Sequence, residues 1–108
     1  MQQSRLARLH APTLWLSGDP SDIAHKNAQA DFAAVAGLPA AWVWHEGTGH
    51  AEHYRKVHGG EFVEPVVSWL DWQLKGVRSQ GAMFKSADCG LCTQSGWHVS
   101  TKALDDQP

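Results

Sequence analysis

Two short apolar runs, each followed by a polar turn and then by a segment of helical period, constrain this chain most. The first is Leu14-Trp15-Leu16, ended by Ser17 and Gly18 with Pro20 just beyond. The second is Ala40-Ala41-Trp42-Val43-Trp44-His45, closed by Glu46 and Gly47. Continuous apolar runs this short are consistent with strands buried on both faces, and the aromatic and β-branched content of the second points the same way. Between them, residues 26–36 carry Ala28, Phe32, Val35 and Ala36 at three- and four-residue spacing, which predicts a helix. Gly37 and Pro39 supply its stop.

A second helix is predicted over residues 60–75. Phe62, Val63, Val66, Val67, Leu70 and Leu74 lie on one stripe, widened by Trp69, and Gly76 ends it. Pro65 fits only if the helix begins a few residues earlier, where its missing N–H costs nothing. Residues 77–108 read as a loop-rich tail with at most one short turn. The order strand, loop, helix, strand, loop, helix implies an α/β fold with a parallel sheet. Two parallel strands are too few for a stable sheet, which needs several strands and cover on both faces. The expected architecture is therefore an α/β strand-helix-strand-helix portion, incomplete as a domain, over residues 1–76, followed by the tail of 77–108.

Composition narrows the function classes. With 108 residues, the chain has room for one small domain. Its formal net charge of −2 and scattered basic residues, Arg5 and Arg8 among them, argue against nucleic acid or an anionic membrane as partner. No apolar stretch approaches the ~18–20 residues a membrane span requires, and the first residues show no apolar segment of signal-peptide type. Six tryptophans against one tyrosine set the chain apart, because each buried indole brings a large apolar surface and an N–H that needs an acceptor. Cys89 and Cys92 form a Cys-x-x-Cys pair in a loop-like stretch. Sequence leaves open a structural disulfide or unpaired thiols, a metal site with His98 nearby, and a redox pair.

The chemistry-bearing residues follow the two strands. In open α/β sheets, sites gather beyond the carboxyl ends of the strands. Here an acidic loop with Asp19 and Asp22 follows the first strand, and a loop leading to His50 follows the second. An aspartate beside a histidine can hold one imidazole nitrogen, leaving the other to take a proton from a nucleophile. The segment Pro-Thr-Leu-Trp-Leu-Ser-Gly-Asp-Pro-Ser-Asp-Ile-Ala resembles a late strand of an α/β-hydrolase with its acid-bearing loop. Trp-Val-Trp-His-Glu-Gly-Thr-Gly-His resembles the last strand of that family and its histidine turn. The segment Ser-Trp-Leu-Asp-Trp-Gln-Leu-Lys-Gly is similar to the final helix. The tail Ala-Asp-Cys-Gly-Leu-Cys resembles that of lipase- or dienelactone-hydrolase-like members. Family order is nucleophile, acid, histidine. The resemblance therefore implies the C-terminal part of a carboxylic-ester hydrolase, with Asp22 as triad acid, Asp19 as its fallback and His50 as base.

Two family features are missing: a Gly-x-Ser-x-Gly nucleophile elbow and a His-Gly-Gly-Gly-type oxyanion segment. Ser17, Ser21 and Ser68 lack the flanking glycines. The chain alone is thus expected to be inactive, while the complete protein would take a small ester substrate; neither cofactor nor metal is expected. Competing readings stay in view. Asp22 could simply be an acid at a helix N-terminus. His50, His53 and His58, with Glu46 or Glu52, could bind zinc, although their spacing matches no established motif. The chain could also be a small non-catalytic module that binds through a Trp-rich surface. An apolar strand at Thr13–Ser17 with an open edge is expected to favour self-association.

Overall fold

Alternation along the first apolar run decides how the sheet is covered. In a computed structural model, which describes residues 11–47, 62–104 and 107, β1 spans Thr13–Ser17 and β2 spans Ala40–His45. They pair in parallel, with Trp15 beside Trp42 and Leu16 beside Val43. Side chains two residues apart share a face of a strand. Trp15 and Ala40 accordingly meet Phe32 of α1 (Ile23–Ala34) together with Val35 and Leu38 just beyond its end. On the opposite face Leu14, Leu16, Ala41 and Val43 meet Trp69 and Trp72 of α2 (Val63–Lys75). The sheet is therefore sandwiched between the two helices, as a parallel pair requires.

α1 begins at Ile23, three residues before the expected start. Asp22 is its N-cap: the carboxylate accepts from the Ala24 N–H at 3.0 Å. Ile23 is 81% exposed, so the first turn carries no apolar periodicity to reveal it. At the other end the ammonium of Lys102 reaches the carbonyls of Phe32, Ala33 (3.1 Å) and Val35 (3.0 Å). A cation there satisfies orphan carbonyls and complements the helix dipole.

α2 places Pro65 in its first turn and ends at Gly76 in the left-handed conformation, φ 69°. Its orientation departs from expectation. The buried face is Pro65, Ser68, Trp69 and Trp72, whereas Val63, Val67, Leu70 and Leu74 are exposed. The two indoles outweigh the aliphatic stripe because each removes more surface from water and they pack edge to face, with centroids 5.7 Å apart.

The tail also departs from expectation. A 3₁₀ segment, Arg78–Met83, packs on α2, and β3, Trp97–Lys102, pairs antiparallel with β2. The sheet is thus three-stranded and mixed, in the order β1-β2-β3, not purely parallel. Phe84, Cys89, Leu91 and Leu104 from this stretch are buried with Ala41, Val43, Trp69 and Trp72 in one core cluster. Gly81 lies so close to Trp72 that an added Cβ would sit 2.8 Å from the indole.

Candidate functional site at the strand ends

The acid loop is built from backbone outward. As β1 ends, Asp22 folds back: one carboxylate oxygen accepts from the Gly18 N–H at 2.8 Å and the other from Ala24. Its own N–H donates to the Asp19 carbonyl at 2.8 Å, closing the turn. Asp22 is 5% exposed. A buried carboxylate with two backbone donors is held in one orientation. Asp22 thus closes the turn after β1 and caps α1 with one side chain.

Asp19 is held differently. The Ser21 hydroxyl and the Ser21 N–H (2.9 Å) both donate to its carboxylate. The Ser21 hydroxyl does most to lower the Asp19 pKa below the ordinary aspartate value, followed by the Ser21 N–H, with Gly47 adding to it. Burial and the nearby charge of Asp22 work the other way. The Gly47 contribution places the turn after β2 near the loop after β1. His50 itself lies outside the described residues, as do His53, His58, Glu52 and Tyr54.

Sequence reasoning missed His25. It is buried on α1, and its Nδ1 lies 3.0 Å from the Gly18 carbonyl. Because that carbonyl accepts, Nδ1 carries the proton in this contact. The ring packs edge-on against Trp42 (5.0 Å) and Trp44 (4.9 Å). These two tryptophans therefore share a face, as strand period requires, but they lie under α1 and not under α2. The Trp42 indole donates to the Ser17 hydroxyl at 2.9 Å. Asp22, His25, Ser21 and Lys26 line an open cleft of about 590 Å³ beside the acid loop. The one signal that could have flagged His25 was its three-residue spacing from Asp22 across a helix start.

A second histidine owes its setting to β3. His98 stacks on Trp44, with centroids 4.0 Å apart, and its Nε2 lies 2.7 Å from Glu46. Glu46 is thereby engaged by a residue that a loop-like tail would have left distant. Both side chains are exposed enough for solvent to screen the pair. Among the described residues no group of three His, Cys, Asp or Glu could hold a metal ion. Nor is any described helix long and apolar enough to cross a membrane. Of the six tryptophans, Trp42, Trp69 and Trp72 are buried and Trp15, Trp44 and Trp97 are half-buried. No protein-family model matches the chain, and no curated protein matches it either.

Proposed function

We propose that this chain is the C-terminal segment of a serine-type α/β-hydrolase acting on small carboxylic esters, with Asp22 as triad acid and His50 as base. The observation that carries this reading is the Asp22 carboxylate just beyond the end of β1, buried and oriented by the Gly18 and Ala24 N–H groups. The two strands are parallel and neighbouring, so their loops leave the sheet at one end. Asp22 is the better acid because its carboxylate is buried and oriented by two backbone N–H groups, whereas the Asp19 carboxylate is engaged by Ser21.

In this mechanism Asp22 accepts from one imidazole nitrogen of His50 and fixes the tautomer. The other nitrogen takes the proton of a serine supplied by sequence outside this chain. The serine oxygen attacks the ester carbonyl, the alcohol leaves with that proton, and water then releases the acid from the acyl-enzyme.

The test begins with the coding sequence upstream of Met1. An in-frame Gly-x-Ser-x-Gly elbow is expected there, and the polypeptide expressed from it should hydrolyse short-chain p-nitrophenyl esters. In that polypeptide His50→Ala should lower kcat by roughly 10⁶ and Asp22→Asn by roughly 10⁴, and Asp19→Asn by much less. A large loss in Asp19→Asn alone would transfer the acid role to Asp19. Full activity in His50→Ala would overturn the reading.

A further inference from the structure

The Cys-x-x-Cys pair stands apart from the proposed triad and is independent of it. Cys89 and Cys92 are joined in a disulfide. The two sulfurs have unlike surroundings: Cys89 is 1% exposed within the main core cluster, whereas Cys92 is exposed. Cys92 also lines a cleft of about 410 Å³ with Phe84, Ser86, Trp97, His98 and Thr101. That volume lies within the range of small-molecule sites, and its walls offer an indole face beside hydroxyl and imidazole groups.

Thiol–disulfide exchange needs an approach to one sulfur and a stable departure of the other. The cleft opens on Cys92. The Cys92 N–H lies 3.1 Å from the Cys89 sulfur and donates to it, which offsets part of the cost of placing a thiolate in the apolar core. The ring closed by the disulfide is short, so the bond restrains the unfolded chain little, and Phe84 and Leu91 keep Cys89 packed. Opening it need not unfold the domain.

We propose that Cys89–Cys92 is an exchange site for low-molecular-weight thiols of the glutathione class, which enter the cleft and attack Cys92. The incoming thiolate forms a new S–S bond to the Cys92 sulfur, and the Cys89–Cys92 bond breaks with its electron pair on Cys89. A second thiolate attacking the mixed disulfide releases the oxidised small thiol and leaves the Cys92 thiolate. The pair is then reduced by two electrons drawn from two thiols. When the thiol is scarce, Cys89 attacks the mixed disulfide and re-forms the ring.

The experiment treats the folded, oxidised full chain with millimolar reduced glutathione, quenches with N-ethylmaleimide and maps both cysteines by peptide mass spectrometry. The expected result is a glutathione adduct on Cys92 with maleimide on Cys89, favoured over the reverse by at least about tenfold. In Cys89→Ser treated with oxidised glutathione, the Cys92 adduct should accumulate because no resolving thiol remains. An intact disulfide in the native protein that opens only in guanidinium overturns the proposal, as does equal labelling of the two sulfurs. The wild-type mapping decides the matter even if the variant fails to fold.

Discussion

Lys102 shows how much one side chain can do at a distance in sequence. Its ammonium caps the C-terminal carbonyls of α1 from β3 and lies 4.8 Å from the centre of the Phe32 ring. Charge-assisted bonds of this kind contribute more than neutral ones, so Lys102→Met should cost about 1–3 kcal/mol. Urea unfolding of the two proteins measures it, and a loss under a few tenths would mean water replaces the cap. Asp19 yields a second prediction. Its pKa is depressed by the Ser21 hydroxyl first, so its stabilising contribution is complete above the ordinary aspartate range. That contribution is lost as pH falls through the depressed value of the folded state. NMR titration should place the Asp19 carboxyl below a free aspartate, and Ser21→Ala should move it upward. An Asp19 midpoint unchanged by Ser21→Ala would refute the assigned cause.

At the scale of elements, α2 is the informative case. The core-facing Trp69 and Trp72 pack edge-on, and Trp72 lies parallel to Phe84, 12° between planes, with Gly81 tight against it. Placing a methyl group on Gly81 forces the indole or the 3₁₀ segment to move, at roughly 1–3 kcal/mol. Trp72→Ala should cost more, about 3–5 kcal/mol, by leaving a cavity in the main cluster. On the opposite side, Leu70→Gln or Leu74→Gln should change stability by less than about 0.5 kcal/mol, since both residues are exposed. Thermal unfolding of the four variants checks this order, and a large loss in either leucine variant would mean that the stripe is covered. Gly96 is a further constraint, at φ 87° and with an added Cβ only 2.9 Å from the His45 ring where the chain turns into β3.

For the whole molecule, β2 is central, with β1 on one side and β3 on the other, so β1 is an edge strand of the described sheet. An apolar edge strand invites another chain. The chain by itself is therefore expected to self-associate, with a sedimentation coefficient that rises with concentration; a single monomeric boundary over that range would refute this. Much of this architecture was legible beforehand. The bounds of β2 match because apolar β-formers stop at Glu46-Gly47, and the end of α2 matches because only glycine closes a helix cheaply at positive φ. The acid loop was legible as well, as Asp19 and Asp22 follow a strand end. β3 was not, since Trp97-His-Val-Ser-Thr-Lys carries a weak alternation whose meaning depends on pairing with β2, far away in sequence. The settings of His25 and His98 were hidden for the same reason. Local composition and punctuation determined where strands and helices begin and end; tertiary structure decided which faces are buried, which cysteine is open and which loops touch, because those depend on packing between segments that only folding brings together.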